Sequence, residues 1–498
     1  MIKSVAIIGA GAAGAIAASA FKAENYFDRI RVFERRETAG GTWIYDTEPL
    51  PAFLVRPGKL AGDIDPPLKI PDLDMKSPQT TPHDDQERYS QTPIYSSLTT
   101  NVPDIAMSFS DERFAYGPFA PHYVARQYIE NYFSRHKTDS FLVLNTTLED
   151  LSRLPPTEED GLDRWRLTLR KFDAVRHVDV WWQEEFDAIV LANGHYSVPY
   201  VPFVKGLEEY TAKFPGRIVH SKLYRAPLIY SFKRVLVVGN SASGHDVTNE
   251  LVSAARLPVY QSRRSPSRWD GDTPPPGIEW KPVIREYMAD TGTIVFEDGS
   301  HLDDIDTVIY CTGYQPSFPF WNEAANGRPL WDYAAGKLIK GYWHTFFQDF
   351  QSLAVVGMPR VLTFRSFEYQ AIALARLWSG RNTVMLPAVE EQEIWERERA
   401  ARKKAQGKKF HDIPWDDGET LEWLGGLFEI AGLGTLKGEG RIPPALDKEL
   451  IWAVEHLKKY PEPGKGRVKE GDKKTYKETK DSGWVVVERE HRDTLSFI

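Results

Sequence analysis

Two short glycine-rich turns constrain the fold of this chain more than any other feature of its sequence. The first follows the apolar run at residues 5–8, and the second follows a similar run at residues 235–238. A strand that enters such a turn at the start of a helix suits a pyrophosphate, because glycine lets the backbone approach closely and the helix N-terminus supplies N–H groups. The residues of the two turns are Gly9, Ala10, Gly11, Ala12, Ala13 and Gly14, and Gly239, Asn240, Ser241, Ala242, Ser243 and Gly244. Two such turns predict two dinucleotide sites.

The residues that follow the second strand of each unit predict which dinucleotide each one binds. Residues 30–33 form a strand-like run that ends at Glu34, an acid placed to accept hydrogen bonds from a ribose hydroxyl. In the second unit the run 259–261 is followed by Ser262 and Arg263 in place of an acid. Serine and arginine at this position suit a 2′-phosphate better than a 2′-hydroxyl. The sequence therefore favours NADPH over NADH at the second site.

Size and composition exclude several classes of protein. A chain of 498 residues is expected to form two or three domains. The net charge of -8 gives no sign of a nucleic-acid surface, and no apolar run reaches the ~20 residues that span a bilayer. Cys311 is the only cysteine, which excludes an internal disulfide, a cysteine zinc site and the cysteine pair of thiol–disulfide flavoprotein reductases. We expect a cytoplasmic protein with no nucleic-acid or membrane partner and no metal site.

A third motif carries a specific resemblance. Phe214, Gly216, His220 and Tyr224 match the pattern FxGxxxHxxxY just before the second glycine turn. This pattern resembles the motif of the flavin-containing monooxygenases, in the place where that family has it. Several further segments, spread over roughly residues 1 to 380, are similar to the family's. They are Gly41, Thr42 and Trp43 in a GGxW segment, Thr100 and Asn101 in an LTTN segment, Leu148, and Thr312 and Gly313 in a closing strand.

The resemblance implies an α/β fold with two doubly wound, Rossmann-like dinucleotide-binding domains. A smaller NADPH domain, residues 213–329, is inserted in a larger FAD domain formed by residues 1–212 and 330–460. Residues 461–498 are expected to form a polar C-terminal tail. Two proline-rich stretches, 49–92 and 265–282, are interpreted as loop excursions, and the charged run 390–409 as a helix with a solvated face.

The resemblance also implies roles for particular residues. The GGxW, LTTN, Leu148 and Thr312–Gly313 segments would contact the cofactors. Asn101 would lie between flavin and nicotinamide and act in catalysis, since an amide can donate and accept hydrogen bonds at once. Two histidines, His195 and His220, are interpreted as structural hydrogen-bonding residues rather than acid–base groups.

The implied reaction uses FAD, NADPH and O2. NADPH reduces the flavin, and a C4a-hydroperoxyflavin then transfers one oxygen atom to a small nucleophilic sulfur or nitrogen compound. Overall similarity to compact microbial and plant members favours thiols and sulfides. Baeyer–Villiger oxygenation of a ketone is an alternative, although those enzymes resemble FxGxxxHxxxW followed by Pro or Asp, whereas Arg225 follows Tyr224 here. Amine N-hydroxylation and a non-enzymatic dinucleotide sensor also stay open, as does assembly into a homodimer.

Overall fold

The structure, a computed structural model, describes most of the chain. The described residues are 1–48, 56–72, 77–86, 88–155, 163–267, 269–359, 361–381, 383–435, 440–443, 445–460, 476–478 and 485–487. In the first part of the chain the strands are β1 (Ser4–Ile8), β2 (Arg29–Phe33), β3 (Gln79–Pro82), β4 (Leu142–Val143), β5 (Thr147–Leu154), β6 (Arg164–Asp173), β7 (Val178–Phe186), β8 (Ala188–Leu191) and β9 (Val198–Pro199). The helices of this part are α1 (Ala12–Ala23), α2 (Ala61–Ile64), α3 (Asp104–Met107), α4 (His122–Arg135) and α5 (Leu207–Lys213).

The middle and last parts of the chain add the remaining elements. The middle part contains β10 (Ile218–His220), β11 (Arg234–Val238), β12 (Arg256–Ser262), β13 (Ile278–Lys281), β14 (Ile284–Met288), β15 (Thr293–Phe296), β16 (His301–Leu302), β17 (Thr307–Tyr310) and β18 (Tyr314–Gln315), with α6 (Ala242–Leu251) and α7 (Glu323–Asn326). The last part contains β19 (Trp331–Asp332), β20 (Lys337–Leu338), β21 (Gly341–Tyr342), β22 (Phe346–Phe347), β23 (Leu353–Val355), β24 (Leu457–Lys458), β25 (Tyr476–Glu478) and β26 (Val485–Val487), with α8 (Phe364–Ser379), α9 (Val389–Ala405), α10 (Glu419–Ile430) and α11 (Lys448–His456).

The largest sheet draws its strands from both ends of the chain. Its order is β21-β22-β23-β8-β1-β2-β4, and its central strands are parallel. Helices α1 and α8 belong to the main apolar core beside this sheet. The small alanine side chains of α1 allow this close packing, since nearly the whole helix is buried.

A second sheet contains only strands from the middle of the chain. Its order is β10-β17-β11-β12-β13, and all its pairs are parallel. The chain enters this unit through β9 and leaves it through β18, and these two strands pair with each other in antiparallel fashion. The predicted α/β fold with two Rossmann-like units is confirmed. The division of strands between the sheets supports the proposed domain boundaries, which stay a prediction.

Two stretches interpreted as loop excursions need correction. The stretch 49–92 is not simply a surface excursion, because β3 pairs with β7 in the four-stranded sheet β3-β7-β6-β5 and Arg88 and Thr92 are buried. Residues 49–55, 73–76 and 87 of this stretch lie outside the described residues. The proposed loop 265–282 contains β13, which extends the second sheet. In each case pairing with a distant strand gives order to a sequence that has little periodicity of its own.

The charged helix and the tail also differ in part from expectation. Arg399 and Lys403 of α9 are buried, because Glu419 at the start of α10 pairs with both. In the tail, β25 and β26 form a small sheet with β24, and the other residues of 461–498 lie outside the described part. Among the described helices, none combines the length and apolarity needed to cross a membrane.

A buried chain of ion pairs attaches residues 77–92 to the four-stranded sheet. Glu149 on β5 accepts hydrogen bonds from Arg88 at 2.8 Å and from Arg170 of β6 at 2.7 Å. Arg170 also donates to Asp179 of β7 at 3.1 Å, and His83 lies 2.9 Å from the same carboxylate. The Glu149 side chain is 1% exposed, so each charge in this chain depends on its neighbours for compensation.

Glu149→Gln should therefore destabilise the protein strongly. The substitution leaves two buried guanidinium groups with one carboxylate fewer, which costs about 3 kcal/mol in the free energy of unfolding. Urea denaturation followed by circular dichroism measures the change. Glu286→Gln is the matched control, because Glu286 pairs with the exposed Lys205 and should lose less than about 1 kcal/mol. Equal losses in the two variants would show that the buried ion pairs do not hold this region.

Candidate cofactor and active sites

The first glycine turn is fixed by two close backbone contacts. Gly9 has φ +109°, and a Cβ there would lie 2.6 Å from the carbonyl oxygen of Ala192 at the end of β8. A Cβ on Gly14 would lie 1.9 Å from the carbonyl oxygen of Gly9. Neither position can hold a larger residue without moving the backbone. The two glycines therefore set the N-terminus of α1 directly beyond the ends of β1 and β8.

A deep cavity opens at this helix terminus. Of the predicted FAD-binding residues, those that line it are Gly9, Gly11, Ala12, Ala13, Glu34, Gly41, Thr42 and Leu148. Gly11 is the N-cap of α1, and the first turn of the helix has neither a capping side chain nor an acidic residue. Its N–H groups and the positive end of the helix dipole suit a pyrophosphate.

Glu34 lies at the end of the cavity where the resemblance puts the ribose. Its two carboxylate oxygens accept hydrogen bonds from the N–H groups of Ala10 and Arg36, at 2.8 and 2.9 Å. A carboxylate has about four acceptor positions, so it can still accept from ribose hydroxyls. Together with the open helix terminus, this arrangement fits FAD.

Other predicted FAD-site residues do not line the cavity. Ala10 is buried under the turn, and Gly14 lies within α1. Trp43 packs edge-to-face against Phe364, with ring centroids 6.2 Å apart. Thr100 is buried, whereas Asn101 is exposed. The buried residues among them therefore pack around the cavity, and the exposed Asn101 lies outside it.

Asn101 nevertheless stands on a well-anchored segment. The Thr100 N–H donates to the carbonyl of Ala120 at 2.8 Å, and the Ala120 N–H donates to the Thr100 hydroxyl at 3.0 Å. Upstream in the same segment, Tyr95 donates to Asp246 and Ser97 donates to Glu250, both on α6 of the second unit. The segment that carries Asn101 thus joins the two dinucleotide units.

The second glycine turn repeats the geometry of the first. Gly239 has φ +114°, and a Cβ there would lie 2.7 Å from the carbonyl oxygen of Cys311. A Cβ on Gly244 would lie 2.2 Å from the carbonyl oxygen of Gly239. Helix α6 starts at Ala242 after Ser241, whose side chain makes no capping hydrogen bond. This turn therefore fits the pyrophosphate of a second dinucleotide.

Strand register places Arg263 in the position of Glu34. The pairs that end the two strand couples are Ile8 with Phe33 and Val238 with Ser262. In both units the N–H of the first glycine donates to the last residue of the second strand at 2.8 Å. The next residue is Glu34 in the first unit and Arg263 in the second. The hydroxyl of Ser262 donates to the carbonyl of Pro282 at 2.8 Å.

The FxGxxxHxxxY residues form a framework. His220 Nδ1 accepts the Lys222 N–H at 3.0 Å, which leaves Nε2–H to donate to the Gly313 carbonyl at 3.0 Å. Burial lowers the pKa of His220 to about 3, so the ring is neutral, as the structural interpretation predicts. Tyr224 donates to Glu250 of α6 at 2.7 Å.

The other members of this framework lie close by. Arg217 stacks on the ring of Phe214 at 4.0 Å, Gly216 has φ +79°, and the hydroxyl of Thr312 donates to the carbonyl of Tyr200. His195, by contrast, lines the cavity.

Sequence reasoning missed one wall of the cavity, formed by residues 88–93 and called here the wall segment. Four of its carbonyl groups accept charge-assisted hydrogen bonds from cationic side chains. Arg35 donates to the carbonyl of Arg88, Lys222 to that of Tyr89, Arg36 to that of Ser90 and Arg225 to that of Thr92. Backbone carbonyls carry no sequence signature, so no motif could have identified this wall.

Residues from the end of the chain complete the cavity. Gly357 and Phe367 line it, and the side chain of Gln370 on α8 accepts the Gly357 N–H at 3.0 Å. Gly357 follows β23, and the carboxyl ends of parallel strands meet at one edge of a sheet. The position of Gly357 just after a parallel strand is therefore the sequence feature that could have predicted its place in the cavity.

Two Rossmann-like units in one chain, each with a glycine turn at an open helix terminus, define a two-dinucleotide oxidoreductase. The chain belongs to the flavin-binding monooxygenase-like family, which it matches over residues 82–269 and 277–425. Residues 7–55 match an NAD(P)-binding Rossmann-like domain. The enzyme is a monooxygenase whose cofactors are FAD and NADPH and whose substrates are O2 and an oxidisable compound.

Individual relatives resemble the chain over most of its length. It is 30% identical over 441 residues to the flavin-containing monooxygenase FMO GS-OX5 of Arabidopsis thaliana, with 84% of each chain covered. It is 29% identical over 458 residues to the flavin-containing monooxygenase iboF of Amanita muscaria, with 82% of this chain and 84% of that protein covered. The solved structure of S-allyl-L-cysteine S-oxygenase from Allium sativum has a TM-score of 0.70 at 25% identity, with 92% of each chain covered.

Gly11→Ala should weaken FAD binding without unfolding the protein. The added methyl group would lie 3.4 Å from the Cα of Gly41, an ordinary contact, but it would occupy the space between two cavity-lining glycines. Overpacking of about 1–3 kcal/mol corresponds to roughly a ten- to hundredfold loss of affinity. Visible absorbance of the purified protein at flavin wavelengths measures the retained FAD.

Gly425→Ala on α10 is the matched control, because a methyl group there has no neighbour within 4 Å. Stoichiometric FAD in both variants would show that the first glycine turn is not the FAD site.

Proposed function

We propose that the enzyme inserts one oxygen atom from O2 into the nucleophilic sulfur of a small thiol or sulfide. The observation that carries this proposal is the likeness to S-allyl-L-cysteine S-oxygenase over 92% of both chains. A sulfur lone pair can accept an electrophilic oxygen atom without a prior proton transfer. The proposed reaction therefore needs no acid–base dyad, which agrees with the neutral, structural role of His220.

The residue after the motif tyrosine supports heteroatom oxygenation over Baeyer–Villiger chemistry. Arg225 is 2% exposed and donates to the carbonyl of Lys222 at 2.8 Å, to that of Thr92 at 3.3 Å and to that of Asp46. Neither Pro nor Asp could make these hydrogen bonds. The wall segment is thus attached to the motif in a way that the ketone-oxygenating pattern does not allow.

The cofactors and the protein contribute different parts of the reaction. When bound, FAD would accept hydride from NADPH and activate O2. The protein binds the FAD pyrophosphate at the start of α1 and the ribose at Glu34, and it binds NADPH at the start of α6 with Arg263 at the 2′-phosphate. The wall segment lines the cavity and would keep bulk water from the reacting groups.

Asn101 is proposed to orient the nicotinamide and the flavin relative to each other. Its exposed amide stands on the Thr100–Ala120 anchor, at the junction of the two units. An amide there can donate to one group and accept from another at the same time. This position suits a residue that acts after the flavin has been reduced.

Product analysis tests the proposed substrate class. Purified enzyme with NADPH and O2 is incubated separately with an S-alkyl cysteine, a tertiary amine and a cyclic ketone. Mass spectrometry should find a gain of one oxygen atom, derived from labelled O2, in the sulfur compound at the highest turnover. Faster formation of a lactone from the ketone would reject the proposal in favour of Baeyer–Villiger oxygenation. Faster N-oxidation of the amine would reject it in favour of an amine substrate.

Asn101→Ala should separate NADPH oxidation from oxygenation. Hydride transfer requires only that the nicotinamide reach the flavin, so NADPH consumption should stay within about twofold of wild type, whereas loss of an oriented hydrogen-bonding group should cut product several-fold. The missing product should reappear as hydrogen peroxide, measured with a peroxidase-coupled assay. Asn249→Ala is the control, because that exposed amide donates only within α6, to His245 at 2.8 Å. An unchanged ratio of product formed to NADPH consumed would show that Asn101 is an ordinary turn residue with no role in oxygenation.

A further inference from the structure

A loop after β12 brings a carboxylate to the second glycine turn. The Oδ2 atom of Asp270 accepts hydrogen bonds from Arg263 Nη1, from Asn240 Nδ2 and from the Ser267 N–H, each at 2.8 Å. Its Oδ1 atom accepts the Ser267 hydroxyl at 3.0 Å, and the side chain is 7% exposed. Burial alone would raise the pKa of Asp270, but the hydrogen bonds from Ser267, Asn240 and Arg263 outweigh it and lower the pKa. The group is therefore an anion at neutral pH.

Like Glu34 in the first unit, this anion contacts the second residue of a glycine turn. Glu34 accepts the backbone N–H of Ala10, whereas Asp270 accepts the side-chain amide of Asn240. In the first unit the acid comes from the strand end. In the second unit Arg263 takes that place, and the acid comes from the loop.

Arg263 is held so that its hydrogen-bonding edge faces this anion. The centre of its guanidinium group lies 3.3 Å from the centroid of the Trp280 ring, which fixes the plane of the group. The donors that meet at Asp270 are a guanidinium, an amide, a backbone N–H and a hydroxyl. Such a set binds the oxygens of a phosphate as well as those of a carboxylate.

We propose that Asp270 is a specificity-determining residue that competes with the 2′-phosphate of NADPH for Arg263 and Asn240. Two anions cannot share these donors, because like charges a few ångströms apart repel. NADPH therefore displaces the carboxylate as it binds. A dinucleotide with a free 2′-hydroxyl brings no second anion, so it leaves Asp270 and its hydrogen bonds in place. Asp270 thus reduces the preference of the enzyme for NADPH over NADH. The inference rests on Arg263 as the residue that reads the 2′-phosphate.

Binding of two nucleotide fragments to the FAD-loaded protein tests the proposal without catalysis. Isothermal titration calorimetry compares adenosine 2′,5′-bisphosphate with adenosine 5′-monophosphate, which lacks the 2′-phosphate. Asp270→Asn removes the competing charge and should tighten binding of the bisphosphate by about tenfold. Binding of the monophosphate should stay within about twofold, because it has no 2′-phosphate to compete with Asp270. Asp272→Asn is the matched control, because this exposed residue of the same loop undergoes the same charge change and should show no such gain.

Two further variants make the outcome decisive. Asp270→Ser removes the charge with a different shape and must shift bisphosphate affinity in the same direction as Asp270→Asn. Unchanged or weaker bisphosphate binding in both variants would overturn the proposal, since Asp270 would then position Arg263 instead of competing for it. Arg263→Ala tests the premise separately: it should abolish the advantage of the bisphosphate over the monophosphate. If that advantage survived, the 2′-phosphate would be read elsewhere and the inference would fall with it.

Discussion

A backbone contact that permits no side chain, made once in each dinucleotide unit, is the constraint on which this structure depends. The last glycine of each turn would place a Cβ 1.9 or 2.2 Å from the carbonyl oxygen of the first glycine. This contact fixes the helix against the strand, and with it the direction of the helix terminus. In the FAD unit the contact also draws α1 toward Gly357, whose Cβ position lies 3.4 Å from that of Ala13. Residues from opposite ends of the chain thereby meet at one cavity.

Hydrogen bonds to carboxylates on α6 join the two units. Asp246 accepts from Tyr95 and, at 2.5 Å, from Tyr460, while Glu250 accepts from Tyr224. These donors come from the segment that carries Asn101, from the end of the described C-terminal part and from the family motif. Tyr224 and Glu250 both belong to the second unit, and the motif tyrosine meets the first unit through its edge-to-face contact with Tyr95, with ring centroids 5.7 Å apart.

The parts of the fold that sequence could predict are those governed by local rules. Glycine turns after apolar runs predicted both Rossmann-like units, whereas the roles of the residues after the second strands in choosing each cofactor stay a prediction. Arg263 occupies the place in the second unit that Glu34 has in the first, which follows from counting residues past the second strand of each unit. Wall residues such as Ser90 and Thr92 could not be predicted, because the cationic side chains bind their carbonyl groups, which every residue carries. Asp270 could not be predicted either, since its place depends on how a loop folds back.

The attachment of the wall segment has a consequence for cofactor exchange. Four cationic side chains hold its carbonyl groups, and a buried row of ion pairs holds the strand before it. Any exchange of a bound dinucleotide that passes this side of the cavity requires these charge-assisted hydrogen bonds to break together, so it is coupled to local opening of residues 88–93.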